Sequence, residues 1–296
     1  MKKTVTVSDN MNGAPKRRSQ LAEVWGRLLQ NKLAVVGMII VILLILMCIF
    51  AKFICRYSYD EQNYGEALMM PCAQHILGTD NYGRDLFARI VYGGRISLLT
   101  AVLAVAISLV IGGAMGAVAG YFGGTVDNVI MRVTDLLQAI PGTLLAVCVS
   151  AMLGSGVWQT AIAIAAGGFA PSCRMMRATS LTIRTQEYIE AAKVNGASNL
   201  RIILTHTIPN CLAPMIVDAS LRIGGSIMQI SGLAFLGLGV QPPTPEWGSI
   251  LNAGRVYLRT FWPLITFPGV AIVLTMFAFN VFGDGLRDAL DPKLKR

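Results

Sequence analysis

The chain has 296 residues, of which 54% are hydrophobic and only 14% are charged. Soluble domains carry about a quarter of charged residues, so this composition excludes an ordinary water-soluble globule and indicates a surface that largely faces lipid. The net charge of +9 is concentrated beside apolar runs, within 1–32, 174–201 and 287–296. That distribution orients membrane helices by the positive-inside rule and is not the aromatic-basic pattern of a nucleic-acid-binding protein.

The first part of the chain, residues 1–32, is predicted to be a cytoplasmic tail followed by an interfacial amphipathic helix. Residues 1–19 are polar and are expected to be disordered. They are not expected to be a signal peptide, because the first apolar run starts late and is too long for an h-region. Val24, Trp25 and Leu28 then recur at helical spacing, which is typical of a helix that lies among lipid headgroups.

Six apolar segments are each long enough to cross a bilayer. They cover residues 33–51, 97–119, 130–153, 157–178, 211–238 and 262–283. Six crossings return the chain to the side on which it began, and the basic N-terminal tail and the basic segment 179–209 then lie on the same side. The predicted fold is therefore an all-α polytopic membrane protein with six transmembrane helices and both termini in the cytoplasm.

The division of the chain follows from these spans. The first transmembrane helix and a long extracytoplasmic loop take up residues 33–95. The main transmembrane domain covers 96–288 and contains the cytoplasmic loop 179–209, and residues 289–296 form a second cytoplasmic tail.

Small and helix-breaking residues mark two places inside these spans. Gly112, Gly116 and Gly120 recur at four-residue spacing, so one face of the second span allows another helix to approach closely. Pro141 and Pro171 lie inside the third and fourth spans, and Pro141 is expected to kink its helix.

The third span also carries charge near its inner end. Arg132 and Asp135 are three residues apart and are able to pair on one helix face.

The six cysteines show no C-x-x-C spacing, so neither a metal site nor a redox motif is predicted. Cys55 and Cys72 both fall outside the membrane in this topology. A disulfide between them is left open.

The loop 179–209 contains the pattern that bears most on function. Glu187 to Val194 is a good helix-forming sequence, and Asn195-Gly196 is a natural stop because glycine adopts the left-handed conformation of a helix end. Ser198 or Asn199 is placed to cap a second short helix that runs through Arg201 and His206. Two short helices joined by a tight turn suit docking into a groove on a cytoplasmic partner.

Glu190-Ala191-Ala192, Gly196 and Pro209 resemble the EAA loop of ABC importer permeases, with His206 and Ile208 standing where the family usually has an aliphatic residue and a leucine. The resemblance implies a type I ABC importer permease whose coupling loop docks on an ATPase subunit. The docking residues it implies are Glu190, Ala191, Ala192, Gly196, Ala197 and Arg201.

Three further blocks resemble the dipeptide, oligopeptide and nickel branch of this family, in particular its C-type subunits. They lie at 75–85, 236–248 and 282–293. The implied cargo is a di- or oligopeptide, and the alternative is nickel or a metal chelate.

The resemblance also implies partners and a location. The partners are a second homologous permease subunit in a heterodimer, two ATPase subunits and an extracytoplasmic substrate-binding protein, in the inner membrane of a prokaryote. No Gly-Lys pair occurs in the sequence, so the phosphate-binding loop of an ATPase is missing. The chain is therefore expected to be non-catalytic and to bind no cofactor, and ATP and Mg are expected to be used by the partner ATPases.

Candidate pathway residues lie on the fifth span. Asp218 and Arg222 are four residues apart and share a helix face. Charged residues inside a membrane line cavities or pair with each other, and both readings, a peptide route and a mutual salt bridge, stay open. Ser226 and Gln229 are candidates for the same route.

On the predicted outer side, Glu246 and Trp247 are candidates for docking the binding protein, with an interfacial anchor as the alternative for Trp247. Residues 57–90 are a further docking candidate. Within that segment, Asp80, Arg84 and Asp85 are expected to form a structural ion-pair cluster rather than a ligand site.

Two rival classes are weaker. An intramembrane enzyme would lack catalytic groups, because His75 and His206 are the only histidines. They fall on opposite sides of the membrane in the predicted topology and belong to no H-E-x-x-H motif. An ion-coupled carrier or channel needs no docking loop and usually has more ionisable groups inside the membrane.

Overall fold

A computed structural model describes residues 20–290, and within this range the protein is helical without a named strand. The helices are α1 (Gln20–Gln30), α2 (Lys32–Ile49), α3 (Ala51–Ile54), α4 (Leu86–Phe122), α5 (Gly124–Gln138), α6 (Gly142–Leu153), α7 (Val157–Arg184), α8 (Glu187–Val194), α9 (Asn199–Ile202), α10 (Ile208–Phe235), α11 (Trp247–Gly254) and α12 (Pro263–Leu290). The predicted tail 1–19 and residues 291–296 of the predicted C-terminal tail lie outside the described residues.

The apolar segments form long helices, as the sequence predicts. Four of them, α2, α4, the continuous stretch Asn199–Phe235 and α12, are long and apolar enough to cross a membrane. The pair α5 and α6 adds a fifth crossing if the bent pair counts as one span. The all-helical membrane fold is therefore confirmed, with four to five candidate spans among the described residues.

The predicted third span is two helices rather than one kinked helix. The axes of α5 and α6 differ by 84°, and Pro141 lies at the break as the N-cap residue of α6. Proline disfavours the helical conformation in the residue before it, so the chain turns sharply at this point. Pro171, by contrast, lies inside the continuous helix α7.

Helices α4 and α7 form the centre of the bundle. A Cβ atom at Gly112 would lie 2.6 Å from the carbonyl oxygen of Phe169, and one at Gly120 would lie 2.6 Å from the Cβ atom of Ser180. Only glycine allows the α7 backbone to come this close. The predicted helix-packing face of Gly112, Gly116 and Gly120 is confirmed, and its partner is α7.

Short elements close the two ends of the bundle. At one end Leu28 of α1, Ala34 of α2 and Ala289 of α12 form a small buried cluster. Helix α1 is the segment predicted to be an interfacial amphipathic helix, and it packs against this end of the bundle. At the other end α11 packs against α10, α12 and α4.

Candidate functional site

The segment 187–207 forms a compact helical hairpin at one end of the bundle. Helix α8 begins at Glu187 and ends at Val194, which agrees with the bounds expected from the sequence. Gly196 follows with φ of +78°, and the amide of Ala197 donates to the carbonyl of Ala192 over 3.1 Å. This closes the helix with the turn that a left-handed glycine permits.

The second half of the hairpin differs from the expectation of a separate short helix. Ser198 caps α9 by accepting a hydrogen bond from the amide of Arg201. The chain then passes through a single π-helical turn, Ile203–Thr207, directly into α10. The predicted second helix is therefore the first part of a continuous 37-residue helical stretch, Asn199–Phe235.

Apolar side chains fasten the hairpin to the bundle. Ile189 of α8 and Ile202 of α9 are fully buried in a cluster that also contains Tyr121 of α4 and Met176 of α7. The hydroxyl of Tyr121 donates to Asn199 Oδ1 over 2.9 Å. One apolar cluster therefore joins the hairpin to α4, α7 and α10.

The outer surface of the hairpin is free of contacts with the described part of the chain. Of the predicted docking residues, Glu190, Ala191, Gly196 and Arg201 are exposed, whereas Ala192 and Ala197 are half-buried against the cluster. Val194 and Leu200, with 88% and 67% of their surfaces exposed, lie on either side of the turn. The tip of the hairpin therefore combines exposed apolar side chains with acidic and basic neighbours.

The charged pair on α10 is part of a larger hydrogen-bond network. Arg222 Nη1 lies 3.4 Å from Asp218 Oδ2. The guanidinium also donates to Ser108 of α4 and to the carbonyl of Gly168 over 2.9 Å, and to the hydroxyl of Ser172. A Cβ atom at Gly168 would collide with this guanidinium. Arg222 therefore joins α10 to α4 and α7, which the sequence spacing alone does not indicate.

The other two candidate pathway residues face different surroundings. Ser226 is 6% exposed and lies within the bundle. Gln229 is exposed and lines a cavity of about 430 Å³, together with Thr143, Met228 and Leu236.

The predicted ion-pair cluster in the long loop forms in part, between Asp80 and Arg84, whereas Asp85 pairs with His75. Asp80 pairs with Arg84 over 2.7 Å and with Arg89 over 3.4 Å, and Asp85 caps α4 by accepting from the amide of Ala88. His75 adds a contact that the sequence did not show, since its Nδ1 lies 2.9 Å from Asp85 Oδ1. These groups are buried and hold the loop 55–85 against the start of α4.

Glu246 and Trp247 are fully buried, so in this structure neither side chain reaches a partner protein or the lipid headgroups. Glu246 caps α11 by accepting from the amides of Gly248 and Ser249 and from the hydroxyl of Ser97. The indole of Trp247 donates to the carbonyl of Ile90 over 2.8 Å. The expected docking contact and the alternative interfacial anchor are replaced by a structural role, in which both side chains fasten α11 to α4. Burial raises the pKa of the Glu246 carboxyl.

The structure also bears on two points that the sequence leaves open. Asp135 pairs with Arg174 of α7 over 2.5 Å and not with Arg132, because α5 lies alongside α7. Cys55 and Cys72 are both free, and burial raises the pKa of the Cys55 thiol to about 11. Instead of joining a disulfide, the sulfur of Cys72 accepts a hydrogen bond from the amide of His75.

The long apolar helices and the exposed hairpin define an integral membrane protein with a helical protrusion at one end of its bundle. Comparison with known proteins gives the family. Residues 112–296 match the model of the binding-protein-dependent transport system inner membrane component. Residues 19–71 match the N-terminal transmembrane domain of oligopeptide transport permease C. The chain belongs to this family of transporter permeases, which are multi-pass inner-membrane proteins.

Individual relatives are similar over most of their length. The chain is 44% identical over 273 residues to the dipeptide transport system permease protein DppC of Alkalihalophilus pseudofirmus, covering 92% of this chain and 90% of that protein. It is 41% identical over 283 residues to the di/tripeptide permease DppC of Pseudomonas aeruginosa, covering 94% and 93%. It is 43% identical over 284 residues to the glutathione transport system permease GsiD of Escherichia coli, covering 94% and 92%.

A solved structure has a similar fold. Inward-facing crystals of the MetNI methionine ABC transporter contain a chain that matches with a TM-score of 0.55 at 17% identity, covering 69% of this chain and 97% of that one. The likeness supports the type I ABC permease fold.

Proposed function

We propose that this chain is one of two membrane-spanning subunits of an ATP-driven importer of short peptides in the inner membrane of a prokaryote. Its partners in this proposal are a second homologous permease, two ATPase subunits that use ATP and Mg, and an extracytoplasmic binding protein. The cargo is inferred from the names of relatives that carry dipeptides, tripeptides and glutathione, all of them short peptides.

The proposal rests mainly on the structure of the hairpin. Its turn exposes Val194 and Leu200, while Ile189 and Ile202 are fully buried in a cluster shared with α4, α7 and α10. Exposed apolar side chains rimmed by polar residues, on a firmly held support, are a feature of protein–protein interaction sites. An ATPase subunit that binds this surface can move three long helices together, as a rigid-body transition between two states requires.

The topology in this proposal keeps six spans with both termini in the cytoplasm. In addition to the four long apolar helices and the α5–α6 pair, α7 is the sixth. Its 28 residues extend for about 42 Å, its segment Val157–Cys173 contains no charged residue, and its glycine-lined contact with α4 lies along the centre of the bundle. The arginines of α7 lie at the end nearest the hairpin, as the positive-inside rule expects.

In this proposal the pathway passes along α10. Asp218 is the slightly more exposed member of its ion pair, at 29% against 21% for Arg222, and Gln229 lines an open cavity further along the helix. Both are proposed to face the peptide. Arg222 and Ser226 are turned into the bundle and are proposed to shape the pathway from behind.

The proposal is tested by replacing Gly196 with valine in the complete importer, reconstituted with its ATPase subunits and binding protein. A non-glycine residue in a left-handed conformation costs about 1–2 kcal/mol, so the equilibrium constant for forming the native turn is expected to fall by roughly tenfold. We expect ATPase subunits to be lost from the purified complex and peptide uptake to fall with them, while the amount of chain in the membrane is unchanged.

Gly237→Val is the matched control. Gly237 has φ of +79°, ends α10 with the same type of turn, and like Gly196 has no atom within 4 Å of an added Cβ. It carries the same backbone penalty at the opposite end of the bundle and is expected to retain the ATPase subunits. Normal uptake by Gly196→Val, or equal ATPase loss in both variants, contradicts the proposal.

The cargo is tested separately, by mass spectrometry of ligand that co-purifies with the binding protein. A short peptide is expected. If nickel or a metal chelate is found instead, the proposed peptide cargo is wrong and the metal-importing alternative is right. The proposed role of the hairpin is unaffected by that result.

A further inference from the structure

One span of the bundle is broken inside the membrane. Among residues 20–290, α5 and α6 are the one bent pair of helices that together have the length and hydropathy of a span. Pro171, Pro214 and Pro268 lie inside continuous helices. Helix α6 has 12 residues and is about 18 Å long, too short to cross a hydrocarbon core of about 30 Å. In the proposed topology the break between α5 and α6 therefore lies within the membrane.

The contact of α6 with α7 gives the depth of the break. A Cβ atom at Gly142, the first residue of α6, would lie 3.7 Å from the Cα atom of Gly167. Gly167 is ten residues from Val157, where α7 begins at its outer end, which is a distance of about 15 Å. Arg174, the first charged residue of α7, is seven residues further inward. The break is therefore near the middle of the uncharged part of the bundle.

The break exposes backbone polar groups at this depth. Residues 138–144 are all exposed. Within residues 20–290, the amides of Gly142, Thr143 and Leu144 donate to no acceptor, and the carbonyls of Gln138 and Ala139 accept from no amide. Backbone without internal partners is tolerated at membrane depth only where protein covers it or where it lines a water-filled cavity.

A cavity beside the break leads to the candidate pathway on α10. Thr143 lines the cavity of about 430 Å³ together with Gly225 and Gln229. On α7, next to the glycine that α6 contacts, the carbonyl of Gly168 accepts from Arg222 over 2.9 Å. The break and the hydrogen-bond network of Arg222 thus meet on the same turn of α7. Polar groups of α6, α7 and α10 are gathered at one level of a largely apolar bundle, as a water-filled route requires.

We propose that the break at residues 138–144 lines the route of the peptide, and that its free amides and carbonyls hydrogen-bond to the backbone of the passing peptide. The inference rests on the proposed function for the peptide cargo. It adds a contact surface on the third span and a mode of recognition. Every peptide has the same backbone donors and acceptors, so backbone-to-backbone hydrogen bonds recognise short peptides without selecting their side chains.

Thiol accessibility tests whether the break is in water. Thr143→Cys and the matched control Val273→Cys are each made in a Cys148→Ser background, because Cys148 is an exposed neighbour on α6. Val273 is 65% exposed and is ten residues from Pro263, the outer end of α12. It therefore lies at the same depth as the break, on a helix that has no charged residue between 263 and 283.

Both variants are reconstituted as complete importers in proteoliposomes, with a charged methanethiosulfonate reagent on both sides of the membrane. The reagent reacts with the thiolate, which hydrocarbon disfavours, so Thr143→Cys is expected to be modified at least about tenfold faster than Val273→Cys. Modification of Thr143→Cys is expected to lower peptide uptake below the level of the same sample before the reagent is added. Equal rates for the two variants, read by mass spectrometry, or unchanged uptake after modification at position 143, would contradict the inference.

Protection by a ligand tests the hydrogen bonds. Dialanine at millimolar concentration is expected to slow the modification of Thr143→Cys. Alanyl-lactate, in which an ester replaces the peptide bond, has the same length and charge but no peptide N–H, and it is expected to protect less. A lack of protection by dialanine, or equal protection by the two compounds, would contradict recognition of the peptide backbone.

The same samples separate this inference from the proposed function. A complex that imports short peptides, but in which Thr143→Cys is no more reactive than Val273→Cys, contradicts the inference alone. A complex with its ATPase subunits bound that imports no short peptide contradicts the proposed function and the inference with it.

Discussion

Two adjacent glycines of α4 allow the packing of the central helices to be measured. A Cβ atom at Gly112 would lie 2.6 Å from the carbonyl oxygen of Phe169 and 2.9 Å from the Cβ atom of Ser172. The same atom at Gly113 would meet only the flexible end of Met215, at 3.8 Å. Both residues are buried in the same helix, so their replacement by alanine differs mainly in what the added methyl group meets.

The expected effects have opposite signs. At Gly112 the methyl group would be about 0.8 Å closer to the Phe169 oxygen than the shortest ordinary contact of 3.4 Å. Because that oxygen belongs to the backbone, α7 must move away, and overpacking of this kind costs about 1–3 kcal/mol. At Gly113 no such strain arises, and the higher helix propensity of alanine adds up to about 1 kcal/mol of stability.

The assay is thermal unfolding of the purified importer complex, followed by the loss of monodisperse protein. One kcal/mol shifts the Tm of a protein of this size by about 2–4 °C, so Gly112→Ala is expected to lower Tm by several degrees and Gly113→Ala to leave it unchanged or slightly raised. Equal shifts for the two variants would show that α4 and α7 are not in close contact at this level.

Three further predictions concern side chains whose surroundings the structure defines. Glu246→Ala leaves the amides of Gly248 and Ser249 unpaired in a buried site, so we expect it to lower the free energy of unfolding by about 1–3 kcal/mol. The affinity for the binding protein, measured by titrating that protein onto the reconstituted complex, is expected to stay unchanged. Arg222→Ala removes hydrogen bonds to α4 and α7, each worth about 0.6 kcal/mol in a membrane, so it is expected to lower the free energy of unfolding by about 2 kcal/mol. Asp218→Ala breaks a single half-exposed ion pair and is expected to change that free energy by less than about 1 kcal/mol. Equal denaturant midpoints for the two variants would contradict this difference. Ile189→Ala opens a cavity beneath α8 and is expected to cost about 2–5 kcal/mol, against about 0.5 kcal/mol or less for the exposed Val194→Ala, with circular dichroism on heating as the measurement.

The hairpin was the easiest element to predict, because its signals are local. A good helix-forming run, a glycine stop and a serine cap lie next to one another between Glu187 and Ser198, and α8 has the bounds that these signals indicate. The continuation of α9 into α10 was missed. Pro209 suggests a boundary, but at the start of a helix proline is well tolerated, and a π-helical turn joins the two elements.

The burial of Glu246 and Trp247 was not predictable from their own segment. A proline-rich stretch with a tryptophan, between two spans, has the appearance of an exposed loop. The partners of these two residues, Ser97 and Ile90, are some 150 positions earlier in the chain. Only the packing of α11 onto α4 brings them together.

The network of Arg222 shows the same limit. The four-residue spacing to Asp218 is visible in the sequence, and this pair does form. The acceptors on Ser108 and Ser172 come from two other helices and follow from the crossing of α4, α7 and α10. Spacing within one helix thus identifies a pair but not whether that pair faces a pathway or joins helices.

The account depends most on the hairpin 187–207 lying in the cytoplasm, where an ATPase subunit can reach it. Val194→Cys and Ile76→Cys each place a thiol where the native side chain is highly exposed, at 88% and 66% of its surface, one in the hairpin and one in the long loop 55–85. With the six native cysteines replaced by serine, labelling of intact spheroplasts with a membrane-impermeant maleimide is predicted to modify Ile76→Cys at once and Val194→Cys only after the membrane is permeabilised. Labelling at position 194 from the outside, before permeabilisation, would contradict the topology and the proposed coupling to ATP hydrolysis with it.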